Sequence, residues 1–349
     1  VKVGIIGASG FVGGELIRLL SKHSHCEIAC VVSREHAGQY VHKVHPHLRG
    51  IIDLRFTNYD LEKVISSSDF VFTSIPLKAS IEAMPRLVEA GLKVVDLSPA
   101  FRLPTPMDYV EHYGAIHPDE GLLRKFIYGL PELNRDEIRA SSMVANPGCM
   151  ATAAILAIAP FVHVLEESGD VIIDAKIGSS GSGSKPSPYN VHAVRYGVVR
   201  PYKLGSHRHA AEVMAFLHKR NARDHEVLFS AHAVNMVRGI SATVYLKTYE
   251  PLEQIEAWKL LRSAYDSEMF VRLVKDKTGG FRLPDPKLTV GSNYCDLGFE
   301  LRPNGKRLIL VSAMDNLVKG AAGNAIQCFN IMNGFRESEG VDMPPIYPT

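Results

Sequence analysis

The sequence predicts an α/β protein of two domains: a doubly wound parallel sheet, then an α+β domain built on a mostly antiparallel sheet. Three observations carry that expectation. The first 100 residues alternate short β-branched runs with helical patterns, as a parallel sheet with helical crossovers requires. After about residue 145 longer strand-like runs follow with few helices between them, the texture of antiparallel pairing. The length of 349 residues suits two domains at roughly 150 residues each.

Lys2 to Ile6 reads as a buried strand and Phe11 to Leu20 as an amphipathic helix. Ile28–Val32, Phe70–Ser74 and Val94–Leu97 read as further buried strands, too apolar on both faces to border water. Ala79 to Ala90 has helical spacing and stops at Gly91, a glycine suited to the left-handed turn that ends a helix. Val171–Ile177, Val227–Val234, Ile240–Tyr249 and Leu308–Ala313 are the longer strands. Ser179 to Pro188 is a loop and Met343 to Thr349 a proline-rich tail. Gly320 to Met332 reads as a helix too apolar to stand alone, expected to pack back on the first domain. The expected boundaries are 1–145 with 316–349 for the first domain and 146–315 for the second.

Composition excludes several classes. Hydrophobic residues at 46% against 22% charged rule out disorder as the main state. Lys+Arg 39 against Asp+Glu 37 leaves +2, which does not suit a nucleic-acid binder. The longest apolar stretch, Met150 to Val162, is too short for a bilayer and contains Pro160. Val1 opens directly in a strand-like run with no leader pattern. The five cysteines (Cys26, Cys30, Cys149, Cys295, Cys328) form no CxxC pair, which favours a reducing, cytoplasmic compartment over a disulfide framework or zinc ribbon.

Gly7-Ala8-Ser9-Gly10-Phe11-Val12-Gly13 follows the first strand and opens the first helix, a GxxGxxG spacing. Glycines let the backbone approach a pyrophosphate, whose charge then meets free N–H groups at the helix start; the N-terminal domain is therefore expected to be Rossmann-like. Twenty residues after Gly13 stand Ser33 and Arg34. A hydroxyl and a guanidinium suit a ribose 2′-phosphate where a carboxylate would suit the 2′-OH, so NADP is expected rather than NAD.

Cys149 follows Asn146-Pro147-Gly148 and precedes a strong helix-forming run. At a helix start the dipole and free N–H groups favour a thiolate, and the same groups can stabilise an oxyanion on an attacked carbonyl. A thiolate nucleophile needs a base, and Gly205-Ser206-His207-Arg208-His209-Ala210-Ala211-Glu212 is the segment that offers one. His-x-His with Glu also suits a metal, but no third cluster has ligand spacing, so no metal is expected. His45 and His47 flank a proline and read as loop. Ser98 and Arg102, leaving a strand end, suit a phosphate, and the Ser179-Ser180-Gly181 loop offers hydroxyls and N–H groups; each is equally compatible with a solvated turn.

These pieces, in this order, resemble the N-acetyl-γ-glutamyl-phosphate reductase family of arginine and lysine biosynthesis across nearly the whole chain. The matching segments are GASGFVGGELIRLL, SREHAG, HPHLRG, DLSPAFRL, YGLPELNR, NPGC, KIGSSGSGSKP, GSHRHAAE, DPKLTVGSNYCDLGFE and DNLVKGAAGNA. SGSKP, VRPYKLGSHRHAAE and VKGAAGNAIQCFN look most like the archaeal branch, whose substrate, aminoadipyl or glutamyl phosphate, rides on the small acidic amino-group carrier protein LysW. The resemblance implies Cys149 as nucleophile and His207 as general acid/base, with His209 and Glu212 supporting that histidine or the substrate. It implies NADP contacts at Ser9 to Gly13, Ser33, Arg34, Pro76 and Asn316, and phosphate or substrate contacts at Ser98, Arg102 and Ser180. It also implies a homotetramer or homodimer. One departure is Ser187 to Tyr196, which replaces a His- and Glu-containing segment of the carrier-dependent relatives and bears on which tethered substrate is used. The implied chemistry is attack of Cys149 on an acyl phosphate, release of phosphate, and NADPH reduction of the thioester to a semialdehyde.

Three other readings stand beside this one: the same reaction on free N-acetylglutamyl phosphate, an aspartate-semialdehyde dehydrogenase, and a non-catalytic NADP-binding sensor. Between Lys185 and Arg223 the chain carries Lys185, Arg195, Arg200, Lys203, Arg208, Lys219, Arg220 and Arg223 against Glu212 alone. A basic rim of that kind suits an acidic carrier, or is simply a solvated face.

Overall fold

A computed structural model describes residues 1–114, 116–276 and 278–349. The chain divides into two compact units. The first comprises 1–106, 117–147 and 321–343, the second 107–116, 148–320 and 344–349. The chain thus changes units at 147/148 and 320/321, and the segment 107–116 and the last six residues group with the second unit rather than the first.

The first unit is built on six strands: β1 (Lys2–Ile6), β2 (Glu27–Val32), β3 (Phe70–Thr73), β4 (Lys93–Asp96), β5 (Ile127–Tyr128) and β6 (Met143–Ala145). Their order is β2-β1-β3-β4-β6-β5, and every described pairing is parallel. Val3, Ile5, Ile6, Phe70, Val71, Phe72, Val94 and Val95 are all buried, as strands covered on both faces must be. The helix Phe11–Leu20 buries Leu16, Ile17, Leu19 and Leu20. The helix Leu77–Glu89 ends at Ala90, and Gly91 takes φ +77°, the conformation for which a glycine carries no Cβ penalty. Strand order reverses beside β1, with β2 on one side and β3 on the other. The carboxyl ends of β1 and β3 therefore flank the switch point where open α/β sheets bind ligands.

The sequence suggests one helix over Gly320–Met332. The structure instead makes a wide π-type turn at Val318–Ala322 and an α-helix at Gly323–Asn333. At the entry to the turn Asp315 Oδ1 accepts from the N–H groups of Leu317 (2.7 Å) and Val318 (3.2 Å), and the Gly320 N–H donates to the Asp315 carbonyl at 2.9 Å, the wide spacing of the turn. The helix that follows belongs to the first unit and packs on the helix Pro131–Ala140.

The second unit carries seven strands: β7 (Gly169–Ile177), β8 (Val199–Lys203), β9 (His225–Val234), β10 (Ile240–Lys247), β11 (Val271–Leu273), β12 (Cys295–Leu301) and β13 (Arg307–Met314). Their order is β11-β12-β13-β10-β7-β9-β8. Four pairings are antiparallel, while β7/β9 and β11/β12 are parallel, so the sheet is mixed. Strict alternation of buried and half-exposed residues along β9 and β10 gives it one covered face. The helix Cys149–Ile158, buried from Met150 to Ile158, covers β10 and β13, and the helix His209–Lys219 covers β9. Burial of that largely apolar helix anchors Cys149 at its first turn. The Ser179–Pro188 loop opens with a short 3-10 turn, Ser179–Ser182, that buries Ser180. Among the described residues no helix is long and apolar enough to cross a membrane.

Candidate active site

In the first unit the glycine loop is shaped by close approach. Gly7 has φ +88°, and a Cβ there would lie 2.2 Å from the carbonyl oxygen of Ser74, in the turn after β3. A Cβ on Gly13 would lie 2.6 Å from Ala8, so the helix sits directly on its own entry loop. At Gly10 the nearest atom to such a Cβ is 3.8 Å away. Two glycines serve packing, and the third leaves open space beside a helix start with no side-chain cap and no carboxylate in its first turn. Those orphan N–H groups fit a dinucleotide pyrophosphate.

Ser33, buried at the end of β2, donates its hydroxyl to Ser9 Oγ at 2.9 Å, joining the second strand to the loop. Arg34 is exposed, with its guanidinium 4.4 Å over the ring of Tyr59. Sequence reasoning missed Tyr59, whose ring lies under that guanidinium. Pro76 caps the helix Leu77–Glu89 just past β3. Phe11 is 43% exposed on the first turn, while Val12 is half-buried.

Ser98 and Arg102 lie in this unit too, where the structure gives them local work. Ser98 Oγ donates to Asp96 Oδ2 at 2.6 Å and accepts from the N–H of Ala100 at 3.0 Å. Arg102 donates through Nε to the Asn146 carbonyl and through Nη2 to the Leu97 carbonyl, both at 2.8 Å. Asp96, fully buried beneath them, is pushed above the usual carboxylate range by desolvation, against which its bonds from Ser98 and Thr73 and the nearby Arg102 pull.

In the second unit Cys149 opens its helix, and Gly148 before it has no side chain to cap the first turn. A Cβ on Gly148 would lie 2.4 Å from His209 Nε2 and 2.6 Å from Glu212 Oε1. A Cβ on Gly320 would lie 2.7 Å from the Cys149 Cβ. The cysteine is thus framed by two residues that must lack a side chain. Glu212, 1% exposed, accepts from the Gly148 N–H at 2.8 Å, and so holds the turn that leads into Cys149. His209, also buried, stands with Nε2 4.0 Å from Glu212.

His207 is 6% exposed, stacked on Phe229 with centroids 5.3 Å apart. Its Nδ1 accepts from the His209 N–H at 3.2 Å, which leaves the proton on Nε2, 3.5 Å from the Tyr202 hydroxyl. Burial, then the charges of Arg208 and Lys203, push its pKa down to about 4. The ring is therefore a neutral donor at Nε2. The Tyr202 hydroxyl is pushed up to about 12, first by desolvation and then by the neighbouring Cys149 sulfur, so it too stays protonated. Tyr202 was not legible as a site residue; only the tertiary placement of β8 brings it to the histidine.

His207 and Tyr202 line a cavity of about 870 Å³ that also takes in Gly181, Arg195, Arg200, Lys203 and Arg208, with no carboxylate among its lining residues. Ser180 and Asn316 are brought together beside it: Asn316 Nδ2 donates to Ser180 Oγ at 3.0 Å, and its Oδ1 accepts from the Gly239 N–H at 2.8 Å. Asn316, grouped in sequence with the cofactor contacts, lies in this second unit.

A glycine loop that fits a dinucleotide in one unit and a framed cysteine with a buried histidine in the other suit a nucleotide-dependent oxidoreductase. Residues 2–141 match the family profile described as semialdehyde dehydrogenase, NAD binding domain, and residues 149–316 match semialdehyde dehydrogenase, dimerisation domain. The chain belongs to the semialdehyde dehydrogenase family. Within it, the chain is 46% identical, over 100% of both chains, to a putative LysW-L-2-aminoadipate/LysW-L-glutamate phosphate reductase of Cenarchaeum symbiosum. It is 42% identical to the LysW-L-2-aminoadipate/LysW-L-glutamate phosphate reductase of Sulfurisphaera tokodaii, over 100% of this chain and 99% of that one. Among solved structures it shares the fold of aspartate semialdehyde dehydrogenase II from Vibrio cholerae (TM-score 0.69, 16% identity, 95% and 98% covered). The Candida albicans aspartate semialdehyde dehydrogenase solved with NADP is similar (TM-score 0.67, 16% identity, 95% and 98% covered).

Proposed function

We propose that the chain reduces the acyl phosphate of LysW-bound aminoadipate or glutamate to the semialdehyde, with NADPH and through a thioester on Cys149, in lysine or arginine biosynthesis. The observation that carries the chemistry is the frame around Cys149: a helix start with no side-chain cap, glycines at 148 and 320 packed closely about it, and Glu212 fixing the turn. The Cys149 sulfur attacks the carbonyl carbon. The carbon–oxygen bond to phosphate breaks, phosphate takes the electron pair, and a thioester forms. The dinucleotide, when bound, supplies a hydride. The oxyanion that results collapses, the carbon–sulfur bond breaks, and the aldehyde leaves with the thiolate restored. His207 Nε2–H and the first-turn N–H groups supply hydrogen bonds to the carbonyl oxygen as its charge develops. The loop Gly7–Gly13, Ser33 and the Tyr59-stacked Arg34 hold the dinucleotide, the last selecting the 2′-phosphate.

The cationic cavity supports an anionic substrate, and its outer rim supports delivery on a partner. Tyr189, Tyr196, Val199 and Leu204 are each more than 60% exposed there, interleaved with Arg200 and Lys203. Apolar anchors in a basic surround suit an acidic carrier. A homo-oligomer is supported by the second-unit sheet, where Ile172 and Tyr245 face each other across β7 and β10 and are 41% and 42% exposed. None of the five cysteines is joined in a disulfide, which supports a reducing setting. Steady-state reduction of carrier-linked aminoadipyl and glutamyl phosphates beside free N-acetylglutamyl phosphate tests the reading. Preference for the carrier-linked forms is expected; better turnover of the free compound moves the chain to the arginine branch.

A further inference from the structure

We propose that His45 is a positioning residue for the cofactor: its imidazole latches the glycine loop after β1 in the geometry that receives the pyrophosphate. The histidine stands between the short helix Val41–Val44 and the turn Pro46–Leu48, with Val41 and Leu48 fully buried on either side. Its own N–H donates to the Val41 carbonyl (2.8 Å), and its carbonyl accepts from Leu48 (3.0 Å). Although read from sequence as loop, the ring is only 5% exposed and reaches back to the loop, with Nε2 2.9 Å from the carbonyl oxygen of Ala8. A carbonyl only accepts, so Nε2 carries the proton. The Ala8 N–H is held from the other side by the Val32 carbonyl at 3.0 Å.

Both peptide groups of Ala8 are therefore fixed. Because a trans peptide is planar, aiming the Ala8 carbonyl at His45 turns the Ser9 N–H to the opposite side. That N–H is the donor the latch presents to a phosphate oxygen. Gly14 gives a second, independent observation. A Cβ there would lie 2.6 Å from the Cε1 and Nδ1 atoms of His45. A helix-interior glycine is ordinarily disfavoured against alanine; here it makes the space that the imidazole occupies.

The inference rests on the loop being the cofactor's seat, and the experiment separates the two. NADPH dissociation constants and the KM and kcat for NADPH are measured on the full chain. His45→Ala should raise Kd and KM about tenfold, the scale of one hydrogen bond, with kcat at saturating NADPH within about twofold. His45→Gln, whose amide can donate to Ala8, should recover most of that loss. Gly14→Ala should show the same defect by displacing the ring, and should add nothing in the His45→Ala background. Gly10→Asp serves as reference: φ −76°, ψ 170° and open space accept a side chain there and make a good helix cap, yet its carboxylate should repel the pyrophosphate. If Gly10→Asp abolishes binding while His45→Ala and Gly14→Ala bind as wild type, the latch is overturned alone. If Gly10→Asp also binds normally, the seat itself is wrong. Should His45→Ala fail to fold, Gly14→Ala and His45→Gln decide the question.

Discussion

His207 is neutral in the folded chain because burial, assisted by Arg208 and Lys203, pushes its pKa from 6.5 to about 4. Unfolding restores the ordinary value, so between about 6.5 and 4 the unfolded chain binds one proton more than the folded one. Stability therefore falls as pH drops through that window, by on the order of 3 kcal/mol when complete. Urea midpoints from pH 7 to 4.5 should show this loss, and His207→Gln should make it shallower; an unchanged slope contradicts the buried, neutral ring. The role proposed for Arg34 concerns a different equilibrium. Arg34→Asp removes a charge-assisted contact of about 1.5–3 kcal/mol and adds repulsion, so NADPH affinity should fall tenfold or more while NADH affinity barely changes. Titration of both cofactors measures it, and equal losses contradict the assignment.

At the scale of elements, legibility followed the range of the interactions. Runs such as Lys2–Ile6 and the helix Phe11–Leu20 were readable because burial on one face or two writes a period into the sequence. The wide turn at Val318–Ala322 was not: one buried carboxylate, Asp315, holds its entry and its Gly320 packs against Cys149, contacts that write no period into the sequence. Parallel pairing of β7 with β9 was equally hidden, since alternation is the same for either direction. Cys149 was singled out in sequence from its Pro-Gly turn, and the structure does place it at a helix start. The fit of Gly148 against His209 and Glu212 joins residues about sixty positions apart and leaves no local pattern. That fit carries its own prediction. Gly148→Ala places a methyl group where His209 and Glu212 stand, so kcat should fall by about a hundredfold or more, the scale of a displaced catalytic group. NADPH affinity, set in the other unit, should hold. Rapid-quench kinetics with cofactor titration checks both; full activity of the alanine variant contradicts the frame around the nucleophile.

For the molecule as a whole, the two units divide the features: one matches the NAD binding domain of the family, the other carries Cys149 and a cation-lined cavity. A net charge of only +2 hides the basic stretch from Lys185 to Arg223, which matters when the substrate arrives on an acidic protein. Exposed charges are screened over about 10 Å at 0.1 M salt, so kcat/KM for the carrier-linked substrate should drop steeply as salt rises. Reversing Lys185 and Arg200 to Glu should raise its KM and leave NADPH affinity alone; salt-independent kinetics contradict docking on this rim. The central claim is the covalent step at Cys149, and it is tested most directly with NADPH left out. Mixed with carrier-linked acyl phosphate, the wild-type chain should release phosphate stoichiometrically and gain the acyl-carrier mass on the peptide containing Cys149, while Cys149→Ser does neither. An adduct mapped to another residue, or a Cys149→Ser chain with wild-type turnover, contradicts the account.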